Sequence, residues 1–184
     1  QHVHTASLAD PLSTWFVSTS VTMIRAIADA VTSILSKEPN SLLLYANDRV
    51  SEISDLASFY LVALFRTVRD LLHSFKATNP TWIKTPLSSR NRIRPSAEQI
   101  RSSFKCAVEA MSIAVTHHDR VPLAEIRLAN SSALPRDITN VNAVVSSPPY
   151  CTRIDYAVAT KPELAVLGCP FTTEFRELRR RLIG

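Results

Sequence analysis

The hydrophobic positions in the first two thirds of the chain recur at the spacing of amphipathic helices. Over residues 12–37 the apolar side chains alternate steps of four and three. A stronger stripe covers 51–75, and a third covers 96–115, where Ser96 and Gln99 have the spacing of a capping box. The pattern predicts three long helices, and the width of the second stripe predicts that this helix is substantially buried.

A polar, proline-rich and basic stretch, 78–95, separates the second and third helices, and it predicts a long loop. Its aromatic and positively charged residues are Trp82, Lys84, Arg90, Arg92 and Arg94. These cations could follow a phosphate backbone while Trp82 stacks on a base. A solvated connector is the commoner meaning of such a stretch, and the two interpretations stay open here.

The periodicity changes after residue 120. Residues 124–128 alternate between apolar and polar positions, and 141–145 is a short, β-branched, largely apolar run. Both runs predict buried strands. The second leads directly into 146–150, where two prolines would interrupt strand pairing and begin a loop. Residues from 172 onward predict a short basic helix.

Composition narrows the classes of protein that the chain can represent. The 21 Lys and Arg residues exceed the 16 Asp and Glu residues, and a net charge of +5 suits a polyanionic partner. The three cysteines lack the paired spacing of a zinc site, so we expect reduced thiols and no bound metal. No apolar run reaches the roughly 18 residues of a membrane span, and no signal region is visible at the start, so we expect a cytoplasmic protein.

The tetrapeptide Ser147-Pro148-Pro149-Tyr150 has the residue types needed to handle an exocyclic amino group. The nitrogen of such a group is a poor nucleophile, and a hydroxyl and nearby carbonyl groups can accept hydrogen bonds from its two N–H groups. The prolines stiffen the backbone, and Tyr150 offers a flat face for a base extruded from the duplex. The plainer alternative is a proline turn that merely follows a strand.

The wider context of this tetrapeptide resembles the catalytic segment of DNA methyltransferases that modify exocyclic amino groups. The resemblance covers about residues 124–168 and rests on Val144-Val-Ser-Ser-Pro-Pro-Tyr-Cys-Thr-Arg-Ile-Asp-Tyr156, then Pro162-Glu-Leu164 and Leu167-Gly168. It implies DNA as substrate, S-adenosylmethionine as methyl donor, and Ser147, Pro148, Pro149 and Tyr150 as the catalytic residues. A serine in the first position favours cytosine N4 over adenine N6. Arg153, Asp155 and Tyr156 would contact DNA or form a salt-bridged support for the loop.

The same resemblance implies an α/β fold, in which 121–184 forms part of a Rossmann-like methyltransferase sheet bearing the catalytic loop 146–156. The region 1–120 would then be a large helical insertion. Asn130 and Ser131 replace the Gly-Asp pair that usually contacts the donor. Because the chain has only two glycines, the glycine-rich donor loop is expected before residue 1 or on a separate chain. The alternative is a non-catalytic helical module that binds DNA or another subunit and retains a vestigial motif.

Overall fold

The computed structural model describes residues 10–35, 54–78, 82–116, 141–145 and 155–181. This part of the chain is mostly helical, with 70% of it in helices. Six α-helices follow one another: α1 (Ser18–Leu35), α2 (Asp55–Leu71), α3 (Ala97–Thr116), α4 (Tyr156–Ala159), α5 (Lys161–Val166) and α6 (Thr173–Arg181). Short 3-10 turns lie at Pro11–Thr14, His73–Phe75 and Ser89–Asn91. The three long helices and the short basic helix predicted from the sequence are all present.

Side-chain caps explain where the second and third long helices begin. The Ser54 hydroxyl accepts a hydrogen bond from the Ala57 amide at 3.2 Å, at the start of α2. At the start of α3 the Ser96 amide donates to Gln99 Oε1 at 2.7 Å, and the Gln99 amide donates to Ser96 Oγ at 3.1 Å. This reciprocal pair confirms the predicted capping box.

The main core lies where α1 and α2 meet α5 and the turn Pro11–Thr14. Its fully buried side chains include Leu12, Trp15, Phe16, Ile24, Leu64, Val68 and Val166. The predicted burial of α2 is confirmed, because its inward face is excluded from solvent along much of its length. Helix α3 is more peripheral, with Ile100 as its one buried residue. The C-terminal helices therefore share a core with the N-terminal ones.

The predicted α/β fold is wrong. The described residues contain no strand and no sheet, only isolated backbone bridges that pair Phe16 with Ile93 and Lys76 with Ile83. Residues 141–145, predicted as a buried strand, are exposed, and Val144 and Val145 retain 84% and 99% of their accessible surface. A β-branched run favours a pleated surface only where neighbouring strands and a core cover it. The other predicted strand, 124–128, lies outside the described residues.

None of the described helices has the length and the apolar character needed to cross a bilayer.

Candidate nucleic-acid interface

Several residues predicted to take part in catalysis lie outside the described part of the chain. They are the four catalytic residues Ser147, Pro148, Pro149 and Tyr150, the two donor contacts Asn130 and Ser131, and the substrate contact Arg153. The described site therefore consists of the segment that follows the motif and of the basic loop between α2 and α3.

Asp155 connects the segment after the motif to the last helix. Its side chain caps α4 by accepting a hydrogen bond from the Val158 amide at 3.0 Å. The same carboxylate accepts a hydrogen bond from Arg179 Nε at 2.6 Å, and Arg179 Nη2 also contacts it. Both contacts are internal to the protein, so Asp155 has the bonding of a supporting residue.

Tyr156 is the first residue of α4, directly after this cap. Its side chain keeps 46% of its accessible surface, whereas the neighbouring Ala157 is buried. Its backbone carbonyl accepts a hydrogen bond from the Thr160 hydroxyl at 2.8 Å. A fixed backbone therefore presents a partly exposed aromatic ring, which is the arrangement needed for stacking on a base.

Arg69 of α2 binds the junction between α4 and α5. Its Nε and Nη2 atoms each lie 2.7 Å from one carboxylate oxygen of Glu163, and Nη2 also donates to the Ala159 carbonyl at 2.7 Å. The two-point geometry fixes both orientation and distance, which a single lysine contact would not do. The sequence analysis missed this residue, since an arginine in a helix usually indicates a solvated face.

Arg25 of α1 binds the other end of α5. The Arg25 guanidinium forms an ion pair with Asp10 and donates hydrogen bonds to the carbonyls of Ala165 and Val166, which end the helix. Arg25 is 9% exposed. The sequence does indicate that Arg25 is unusual. Helix α1 consists mostly of apolar and small residues, and Arg25 and Asp29 are its two charged residues.

The predicted basic loop is held to the helices along its length. The Lys84 amide donates to the Phe75 carbonyl at 2.7 Å, and the Lys84 carbonyl accepts from the Trp15 indole at 2.9 Å. Further along, the Ile93 amide donates to the Trp15 carbonyl at 2.9 Å, and the Ser20 hydroxyl donates to the Pro95 carbonyl at 3.0 Å. This loop is therefore a structured surface in its described part.

We call the described residues 76–78 and 82–94 the basic segment. Its cations are Lys76, Lys84, Arg90, Arg92 and Arg94. Four of them are exposed and Arg92 is half-buried, and none forms an ion pair with another residue that the structure describes. Uncompensated charges on one ordered segment create a positive potential that attracts a polyanion.

Trp82 is less available than the prediction of base stacking requires. The residue is partly buried, and its indole N–H is buried with no acceptor among the described residues. An unsatisfied buried donor costs about 1–3 kcal/mol. Turning the ring outward would return this N–H to water, so part of the cost of exposing the indole for a ligand is offset.

Lys161, at the start of α5, lies against three aromatic rings. Its Nζ atom is 4.5 Å from the centroid of Phe171, 5.6 Å from that of Phe175 and 5.8 Å from that of Trp15. Burial, and secondarily the positive charge of Arg179, lower the pKa of Lys161 below its usual value of 10.5. The rings attract the ammonium while the loss of water disfavours it.

Two open grooves flank α2. An apolar groove of about 450 Å³ is lined by Met23, Ala26, Ile27, Ala30, Val31, Tyr60 and Phe104. A polar groove of about 540 Å³ is lined by Arg66, Arg69, Asp70, Ser102, Ser103, Cys106, Ala107 and Ala110. Within the described ranges, no cluster of three or more His, Cys, Asp or Glu side chains is placed to hold a metal ion.

Comparison with known proteins identified no matching family model, no matching curated protein and no matching solved structure.

Proposed function

We propose that this chain is the substrate-contacting segment of an S-adenosylmethionine-dependent DNA methyltransferase that acts on the exocyclic amino group of a flipped base. Cytosine N4 is favoured over adenine N6. The observation that carries the proposal is the motif at 147–150 together with its downstream flank, in which Asp155 caps α4 and Tyr156 leaves an aromatic ring partly exposed. A proline turn without function does not require a partly exposed aromatic ring six residues further along the chain.

In this proposal the motif residues handle the base. The Ser147 hydroxyl and a nearby carbonyl accept hydrogen bonds from the amino group, which favours the more pyramidal nitrogen that can attack a methyl group. Tyr150 stacks on the extruded ring, and the two prolines keep these groups in place. Tyr156 provides a second aromatic contact, and the basic segment contacts backbone phosphates.

The described residues do not fit the methyl donor itself. Gly168 is the one glycine in the described part, and it has a φ of 83° where the chain turns after α5. There the Gly168 amide donates to the Ala165 carbonyl at 3.1 Å and the Cys169 amide donates to the Leu164 carbonyl at 2.9 Å. This glycine closes a helix, as is common at helix C-termini, and does not build a donor cradle. Because the full sequence has only two glycines, we assign the glycine-rich donor loop to a region outside this chain, on the same polypeptide or on a partner subunit.

The decisive experiment measures methyl transfer to duplex DNA by the complete protein, supplied with its donor-binding region. Loss of the Ser147 hydroxyl in Ser147→Ala is expected to lower kcat by about 100-fold or more, in the range found when one preorganised hydrogen-bonding group is removed from an active site. Ser146→Ala is the matched control, because it removes the neighbouring hydroxyl. Chromatography of the digested DNA identifies N4-methylcytosine or N6-methyladenine as the product.

Equal activity of the Ser147→Ala and Ser146→Ala proteins would contradict the proposed role of the motif. Tyr150→Phe is expected to keep most of the activity because it keeps the stacking face, whereas Tyr150→Ala is expected to lose it.

A second candidate is a helical DNA-binding module without catalysis. The observation that favours it is the set of cations on the basic segment with no ion-pair partner among the described residues, combined with the lack of a donor cradle in that part of the chain. Calorimetric titration of the complete protein with S-adenosylmethionine separates the two candidates. Binding of the donor favours the methyltransferase, and DNA binding without donor binding favours the module.

A further inference from the structure

We infer that Arg69 is a positioning residue that orients Tyr156 toward the DNA substrate. The inference rests on the proposed function and extends it to a residue on another helix, 94 residues before Glu163 in the chain. It depends on contacts at both ends of α4, the helix that Tyr156 begins.

Helix α4 has four residues, and so short a helix is unstable without external contacts. At its N-terminus the Asp155 side chain supplies the cap, and Arg179 holds that carboxylate. At its C-terminus the Ala159 carbonyl accepts a hydrogen bond from Arg69. The position of α4, and with it the backbone of Tyr156, therefore depends in part on two arginines that lie outside this helix.

Arg69 is the more rigid of these two supports. Its own helix, α2, is packed in the core through Leu64 and Val68, both of which are fully buried. The side chains of Arg69 and Glu163 are 26% and 20% exposed, whereas the Arg179 side chain is 49% exposed. A support on a well-packed helix, whose side chain is itself partly buried, holds its partners more precisely than an exposed one.

The contacts of Arg69 should affect the rate of methyl transfer and leave the affinity for DNA unchanged. The contacts of Arg69 described above are with Glu163 and Ala159 and not with the basic segment, so DNA affinity from phosphate contacts should survive its loss. Misplacing the Tyr156 ring should instead reduce the fraction of bound complexes that react, since small displacements at a reacting site lower the rate steeply. The expected signature is a fall in kcat with little change in DNA affinity.

The test compares Arg69→Met and Arg69→Lys in the complete protein, at a temperature where both variants are fully folded. Arg69→Met is expected to lower kcat about 10-fold or more while the Kd for duplex DNA changes less than about 2-fold. Arg69→Lys keeps the charge but cannot make all three contacts, and it should restore part of the rate. Arg101→Met, which removes an exposed pair with Glu98, is the matched control and should leave kcat unchanged.

A double-mutant cycle with Tyr156→Ala distinguishes positioning from a general structural role. If Arg69 acts through Tyr156, the double variant should be no slower than Tyr156→Ala alone, whereas independent effects would multiply. Amide hydrogen exchange should also be faster at 156–160 in Arg69→Met than in the wild type.

Three outcomes overturn the inference. Multiplied rate losses, or an unchanged kcat in Arg69→Met, would contradict it while leaving the proposed function intact, provided that Ser147→Ala has a much lower kcat than Ser146→Ala. A wild-type protein that binds donor and DNA but transfers no methyl group would contradict both proposals.

Discussion

Arg25 and Asp10 form a two-point ion pair at the edge of the core, with Nε 2.6 Å from Oδ2 and Nη2 2.9 Å from Oδ1. The same guanidinium donates to the last carbonyls of α5, at Ala165 and Val166. Asp10 also accepts a hydrogen bond from the Leu12 amide at 2.9 Å and so starts the first turn of the described chain. A single buried cation thus joins the beginning of the fold to its C-terminal helices.

Replacing Arg25 should lower the free energy of unfolding. Arg25→Met removes the cation that pairs with Asp10 and the guanidinium donor to the carbonyls of Ala165 and Val166. We expect the free energy of unfolding to fall by about 3 kcal/mol, because the Asp10 carboxylate loses its charged partner. Urea denaturation followed by circular dichroism measures the change. The control is Arg101→Met, whose exposed pair should contribute less than about 0.5 kcal/mol. Equal losses in the two variants would refute the role assigned to Arg25.

The capping box of α3 gives a smaller, local prediction. Ser96→Ala removes the acceptor of the Gln99 amide, and we expect it to lower the free energy of unfolding by about 1 kcal/mol. Ser102→Ala, an exposed position inside the same helix, should have no cost or a slight gain because alanine has the higher helix propensity. The prediction fails if both substitutions have the same effect on the denaturation midpoint.

Lys161 should make stability depend on pH in the alkaline range. Its pKa is lowered in the folded protein by burial and by Arg179, so the unfolded chain keeps the proton to higher pH than the folded one. Between the lowered folded pKa and 10.5, the unfolded state therefore binds more protons, and stability rises with pH. Below this window the charged amine is present in both states, and the burial penalty is felt in full.

Thermal unfolding of the wild type and of Lys161→Met, measured from neutral pH to above pH 10, tests this directly. The stability of the wild type relative to the variant should increase across the window, while the titrations of other groups cancel in the difference. A difference that stays constant with pH would show that the aromatic rings of Trp15, Phe171 and Phe175 balance the loss of water, and one that decreases would show that they outweigh it.

The affinity for DNA, and its dependence on salt concentration, should depend on the positive charges of the basic segment. Each cation that contacts a phosphate contributes about 0.9 to the slope of log affinity against log salt concentration for duplex DNA. The triple variant Lys84→Gln, Arg90→Gln and Arg94→Gln should therefore bind more weakly and with a shallower slope. Fluorescence anisotropy at several salt concentrations measures both. Lys105→Gln, on α3 with Glu109 as its partner, is the control, and an equal change of slope there would contradict a localised interface.

Features set by neighbours in the chain could be predicted from the sequence. The stripe at 96–115 and the spacing of Ser96 and Gln99 specify a helix and its start, because the responsible contacts span three or four residues. The basic loop was also predictable, since its prolines and polar turn residues disfavour a long helix. These local signals do not depend on contacts between residues that are distant in the sequence.

Features set by distant contacts could not be predicted. The β-branched run at 141–145 has strand composition, but composition does not show whether a partner strand exists, and the described chain supplies none. The contact of Arg69 with Glu163 joins residues 94 positions apart. Glu163 lies in the segment Pro162-Glu-Leu164, but nothing in that pattern identifies Arg69 as its partner. The sequence alone could not decide whether Asp155 supports the loop or contacts DNA. Its hydrogen bonds with Val158 and Arg179 are those of a supporting residue.

The sequence separation between Arg25 and its acceptors in α5 determines when these contacts can form during translation. Ala165 is 140 residues beyond Arg25, so a ribosome must translate most of the sequence before the guanidinium meets its last acceptors. Until then the Arg25 guanidinium lacks its acceptors in α5, and the packing of α1 against that helix is incomplete. The helices that precede residue 165 therefore cannot complete this set of contacts early in synthesis. Nascent chains stopped short of residue 165 should be more sensitive to proteases than those released after 166.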